Sequence, residues 1–273
     1  MHRIPASILL ALTSAVLIVA GTASPQATPK AAAAPARTPV LVELFTSEGC
    51  SDCPPADALL ARLQQQQPVA GADIIVLEEH VDYWESLGWH DRFSARQFTD
   101  RQSAYVQRFR LDDNYTPQMV VDGSDQFVGS DTAHALRTIT QAARTPKFAL
   151  AISPLTADGG RVSGTVSAAN AASLPDADLY AALLDAAATT SVLHGENGGR
   201  TLHHVSVVRA MQRIGSLGAA ARAPAAFAFA LPKDSTAANA RVVVFAQRAG
   251  QGTVVAAASA PVLHGATQQI AQR

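Results

Sequence analysis

The chain has 273 residues, 48% hydrophobic and 16% charged, with a formal net charge of −1 at pH 7. That length suits one large domain or two smaller ones, and that apolar share excludes a disordered chain. Without clustered Lys and Arg, the near-neutral balance argues against nucleic acid or an anionic membrane surface as partner.

Arg3, the apolar run 6–20 "ASILLALTSAVLIVA" and the small residues of "GTA" at 21–23 have the pattern of a secretory signal peptide, expected over 1–23. The run falls short of the roughly 20 residues a spanning helix needs, so no stable membrane insertion is expected once it is removed. Residues 24–37, "SPQATPKAAAAPAR", are Ala- and Pro-rich without periodicity and are expected to be a linker. The expected destination is the periplasm or the exterior, where paired cysteines are read as a disulfide by default.

From residue 38 the pattern alternates. "PVLVELF" (39–45) predicts a buried strand, "PADALLARLQQQ" (55–66) a helix with Ala58, Leu59 and Leu63 among apolar residues at helical spacing, and "ADIIVLEEHV" (72–81) a second strand buried on both faces. The segment 82–110 predicts a helix in its second half, carrying Phe98, Tyr105 and Phe109. "YTPQMVVDGSDQFVGS" (115–130) predicts a hairpin turning at Asp122-Gly123. A helix capped by Ser130 or Asp131 follows. The order β-α-β-α-β-β-α implies a mixed sheet with helices on both faces. From about 147, short strand-like runs separated by turns predict an all-β, sandwich-like second domain over 147–273, after an α/β domain over 38–146.

The chain has two cysteines, Cys50 and Cys53, in "FTSEGCSDCPPAD" between the first strand and the first helix. Pro54 and Pro55 fit a helix's first turn. The cysteines therefore sit at a helix N-terminus, where the dipole favours a thiolate, while Glu48 and Asp52 oppose it. Three readings compete. A structural staple gains little, because a four-residue loop removes about 1 kcal/mol less unfolded-state entropy than a 15-residue loop. A metal site has only two thiolates and would need help from histidine, with copper(I) the better fit. A redox couple is the expected meaning of Cys-X-X-Cys beside a βαβ pattern.

These residues resemble the thioredoxin superfamily over roughly 38–146: an apolar strand carrying one acid, Cys-X-X-Cys at a helix start, then Thr116-Pro117 before a hairpin and a closing helix. More closely, "FTSEGCSDCPPAD", "HVDYWESLGWHD", "YTPQMVVDG" and "GENGGRTL" are similar to a family of uncharacterised secreted bacterial proteins with an N-terminal thioredoxin-like domain. The resemblance implies Cys50 as exposed nucleophile, Cys53 as resolving thiol, Pro117 as a cis-proline and Glu43 as the buried acid that trades protons with Cys53. Two departures bear on Glu43: the stretch to Cys50 is one residue longer than usual, and Gly49 replaces an aromatic before Cys50.

His80 and Asp82 end the second strand, on the side where open α/β sheets bind ligands. His80 is a candidate to tune the thiolate or to join Cys50 and Cys53 around copper. Thr116, Tyr83 and Trp84 are candidates for a substrate groove, and with Trp89 they place the 82–110 insertion over the cysteines, as packing or as a gate. His194, Glu196, His203 and His204 invite a metal reading, but alternation sends His203 and His204 to opposite strand faces. There is no phosphate loop, nucleophile-elbow serine or His-Glu-X-X-His helix.

The expected function is an exported thiol–disulfide oxidoreductase, with exported protein clients, a redox partner and no organic cofactor. The alternatives are a copper(I)-handling protein using Cys50, Cys53 and His80, and a non-catalytic binding module.

Overall fold

In the computed structural model, residues 1–2, 37–169 and 173–263 are described. The expected leader and linker lie almost entirely outside them. Among the described residues no helix is long and apolar enough to cross a membrane.

The first half runs β1 (Thr38–Thr46), α1 (Pro54–Gln66), β2 (Ala72–His80), α2 (Arg96–Phe109), β3 (Gln118–Val121), β4 (Asp125–Val128) and α3 (Thr132–Ala142). β1 pairs with β2 in parallel and with β3 antiparallel. It is therefore central, and it is buried throughout from Val40. Val40, Val42 and Leu44 pack on one face against Leu59, Leu60 and Leu63 of α1 and Ile139 of α3. Leu41 points the other way, toward Phe98 of α2, as the two-residue period of a strand requires. Pro54 and Pro55 open α1, where absent N–H groups cost nothing. Asp131 caps α3 by accepting from His134 N at 2.9 Å. The β3–β4 hairpin turns at Asp122-Gly123, both with positive φ (50° and 60°). A Cβ at Gly123 would stand 2.4 Å from the carbonyl oxygen of Gly252, so only glycine fits the approach.

The second half runs β5 (Leu150–Ile152), β6 (Thr156–Asp158), β7 (Arg161–Ala168), β8 (Asp178–Ser191), β9 (Thr201–Ser216), a four-residue helix α4 (Leu217–Ala220), β10 (Ala225–Ala230), β11 (Ala240–Gln247) and β12 (Val254–Pro261). Its strands divide. β10, β7 and β5 form one small sheet, with β6 on β7. β12, β11, β8 and β9 instead extend the first-half sheet, giving the order β12-β11-β8-β9-β2-β1-β3-β4.

The expectation of a self-contained second half is corrected here. A sandwich core does form, with Val162 and Val166 of β7 and Phe227 and Phe229 of β10 packing on Leu179 and Leu183 of β8 and Val242 and Val244 of β11. One of its two sheets is the outer part of the eight-stranded sheet. A further core joins Leu41, Ile75, Leu77 and Phe98 to Leu184, Val208, Phe245 and Val254. The described residues within 37–263 accordingly form one compact unit. That shared apolar core is what joins the halves, because the backbone pairing between them is slight. That joint is narrow: β2 and β9 share one register pair, Glu78 with Val207, beside a positive φ at Ser206.

Candidate functional site

Cys50 and Cys53 lie in the connection from β1 to α1, with Cys53 as the residue capping the helix. The turn is closed by Cys50 N donating to Ser47 O (3.1 Å) and Cys53 N to Cys50 O (3.2 Å). Both cysteines are free thiols here, correcting the default expectation of a disulfide. Cys53 donates a hydrogen bond to the Cys50 sulfur, and this chiefly brings the Cys50 pKa down to about 7, against a desolvation that raises it. Cys53 moves the other way: burial pushes it well up, helped by its role as donor to Cys50 and by the charge of Asp57. The pair is thus chemically unequal, with the thiolate on Cys50.

Thr116 and Pro117 face this pair. The peptide between them is cis, and the Cys50 sulfur lies 3.9 Å from Thr116 O. Trp84 Nε1 donates to Thr116 Oγ1 at 2.8 Å, tying the insertion to the same loop. The Trp84 side chain also fills the space above Gly49, where a Cβ would come within 3.2 Å of Trp84 Cβ. A side chain before Cys50 would need Trp84 to give by a few tenths of an ångström, a tight fit that glycine avoids. Tyr83 is 37% exposed at the mouth of the site, and burial of its hydroxyl pushes its pKa up.

Cys50 itself is 1% exposed, correcting the expectation of an open nucleophile. Two loops border the turn that carries it. One is the Trp84 segment. The other is 194–200, which comes from the second half and which the sequence singled out as "GENGGR". Asn197 is fully buried, and its Nδ2 donates to Glu48 O (2.9 Å) and Cys50 O (2.8 Å), while Glu196 accepts from Ser51 N at 3.0 Å. Through these hydrogen bonds that motif grips the cysteine loop.

Glu43 does not take part in the cysteine turn's hydrogen bonds. On central β1 it accepts from Arg101 Nε and from Tyr105 Oη, each at 2.6 Å. Arg101 also donates to Gln247 Oε1 at 3.0 Å, so Glu43 helps to clamp α2 onto β1 and β11. The acid beside Cys53 is Asp57, a residue the sequence reading missed. It is buried, accepts from Thr46 Oγ1 at 2.7 Å, and is driven up to about 7 by burial and then by the charge of Glu78. Its signal was the spacing: Asp57 follows Cys53 by four residues, one helical turn.

His80 is not a ligand partner of the cysteines. Its Nδ1 meets Asp91 Oδ2 at 2.7 Å and its Nε2 faces Glu78 Oε1 at 3.7 Å. His204 arrives from β9 with Nδ1 on Glu78 Oε1 (2.7 Å) and Nε2 toward Glu48 Oε1 (3.4 Å). The copper set of Cys50, Cys53 and His80 is therefore not assembled. Among the described residues, the group whose ligand atoms come within 4.8 Å of one another is Glu78, His80 and His204. His203 points away, to Thr189 at 3.2 Å, and His194 is exposed, so of the four residues offered for metal near 200 only His204 joins a cluster. Asp82 serves the insertion, accepting from Thr99 Oγ1 at 2.6 Å.

Residues 41–247 match the family described as "Protein of unknown function (DUF1223)". Protein AGR_C_4864 from Agrobacterium tumefaciens, known from a crystal structure, is similar at 25% identity and a TM-score of 0.62, over 86% of this chain and 99% of that one. A domain of the outer membrane lipoprotein Omp28 from Porphyromonas gingivalis matches at 14% identity and a TM-score of 0.27, over 43% of this chain and 88% of that one. No curated protein matches.

Proposed function

The chain belongs to the family of proteins of unknown function DUF1223, and from its own site we propose that it is an exported thiol–disulfide oxidoreductase acting on protein thiols in the periplasm or outside the cell. The observation that carries this reading is the unequal cysteine pair at the start of α1, with Cys50 drawn down to about 7 and Cys53 held protonated. The thioredoxin-like order of elements over 38–146 supports it, as does Thr116-Pro117 opposite Cys50.

In the reductive direction, the Cys50 thiolate attacks one sulfur of a client disulfide. A Cys50–client bond forms, the client S–S bond breaks, and the second client sulfur leaves as a thiolate. Cys53 then loses its proton, with Asp57 the nearby acceptor, and attacks the Cys50 sulfur. The mixed disulfide breaks, the client's remaining sulfur leaves, and a Cys50–Cys53 disulfide remains. Two electrons pass to the client, and an exported redox partner restores the dithiol. Run backward, the same steps oxidise a client. Tyr83, Trp84 and Thr116 line the approach, and Trp84 has to shift for a client to reach Cys50.

The test is an equilibrium titration of the 50–53 pair in glutathione buffers. A reversible two-electron transition between about −120 and −270 mV is expected. A pair still oxidised well below about −300 mV is a structural staple and ends this reading. Client capture that survives Cys50→Ser would mark a binding module instead.

A further inference from the structure

A second centre lies where β9 meets β2, electrostatically next to Asp57 of the thiol site. Glu78, His80 and His204 are 0%, 0% and 2% exposed. Each imidazole is anchored through Nδ1 on a carboxylate, His80 on Asp91 and His204 on Glu78, both at 2.7 Å. Each leaves Nε2 without a hydrogen-bond partner. For His80, Asp91 fixes Nδ1–H and frees the Nε2 lone pair, the arrangement metal-binding histidines use; for His204 the fixing carboxylate is Glu78 itself, whose Oε1 also faces His80 Nε2 at 3.7 Å and whose Oε2 accepts from Val205 N at 2.7 Å. Glu48 Oε1, 3.4 Å from His204 Nε2, is also unpartnered. Three of the seven such buried atoms among the described residues thus belong to this one cluster, His80 Nε2 toward Glu78 and His204 Nε2 toward Glu48 Oε1, and buried polar atoms are normally satisfied.

We propose that Glu78, His80 and His204 bind a divalent transition-metal ion, zinc by preference, with Glu48 facing the same pocket. Charge points the same way. Glu48, Glu78 and Asp91 are buried together, and their ion-pair partners among the described residues are the two imidazoles alone, with no Lys or Arg. A dication neutralises such a set; without one, the imidazoles have to carry the compensating protons, which an arriving metal ion would displace. Two imidazoles and a carboxylate suit zinc or iron(II), whereas soft copper(I) prefers sulfur. The elements also converge by design of the chain: β2 gives Glu78 and His80, β9 gives His204, the cysteine loop gives Glu48, and the insertion gives Asp91 and Trp89, whose Nε1 donates to Glu48 Oε2 at 2.7 Å.

The experiment uses the tag-free exported chain, stripped with chelator and titrated with zinc(II) and cobalt(II) by calorimetry and absorption. One ion per chain is expected, with cobalt bands that lack a thiolate charge-transfer component and persist in a Cys50→Ser/Cys53→Ser variant. His80→Gln and His204→Gln should abolish stoichiometric binding, and Asp91→Asn should weaken it about 10- to 100-fold. If the histidine variants do not fold, the wild-type cobalt spectrum decides alone. A thiolate band that disappears with the cysteines moves the metal to Cys50 and Cys53 and overturns the proposal. Absence of stoichiometric binding by either ion also overturns it, leaving a cluster that holds protons only.

Discussion

At the scale of single residues, the site is governed by where each polar group finds its partner. Cys50 and Cys53 are three residues apart in the same turn, yet one is acidified and the other is not: the S–H of Cys53 lowers Cys50, while burial first and that same donor role second raise Cys53. This fixes a pH profile. The folded-state pKa of Cys50 is depressed, so its thiolate is present above about pH 7 and lost below it. Alkylation of the reduced protein by iodoacetamide, followed by mass spectrometry, should label Cys50 first with a half-maximal rate near pH 7. In Cys53→Ala the donor is gone, and the midpoint should move up toward the ordinary thiol range. A wild-type midpoint already at that ordinary value would remove the asymmetry on which the thiol reading stands.

At the scale of elements, the insertion and its helix α2 do two jobs. The segment before α2 lays Trp84 and Trp89 against the cysteine loop, and α2 itself locks onto the sheet through Arg101. That guanidinium is buried against Glu43, with Glu79 also close at 3.7 Å. Removing Glu43 leaves Glu79 as the carboxylate beside the guanidinium, so the loss should stay at or below the roughly 3–5 kcal/mol of a fully uncompensated buried charge. Glu43→Ala should therefore lower the urea midpoint by a corresponding amount while leaving the potential of the 50–53 pair within experimental error of wild type. A large change in potential with little change in stability would restore Glu43 as the proton partner of Cys53.

At the scale of the whole molecule, the eight-stranded sheet makes the halves interdependent. The apolar cluster around Phe98 and Phe245 draws on both. Asp122 of the first-half hairpin accepts from Lys147 Nζ at 2.6 Å, beside the close approach of Gly123 to Gly252. Both tryptophans, Trp84 and Trp89, report on the first half, whereas far-UV circular dichroism reports on all strands. In urea the two signals should fall in one coincident transition, the mark of a single cooperative unit. Separated transitions would return the molecule to two independent domains.

The sequence alone was enough for the local grammar. Period-two and helical spacing located most elements, Asp122-Gly123 marked the hairpin, the proline pair marked the start of α1, and Cys50-X-X-Cys53 marked the site. Each of these rests on neighbours in the chain, whose geometry follows from φ, ψ and side-chain period. The tertiary structure decided the rest. That β9 pairs with β2, that Asn197 closes over Cys50, and that Glu48, Glu78, His80, Asp91 and His204 share one buried pocket all depend on contacts between distant segments. Alternation could say that His203 and His204 face opposite ways, and it did. It could not say which way is inward, because an edge strand becomes an interior one only when another segment chooses to lie beside it.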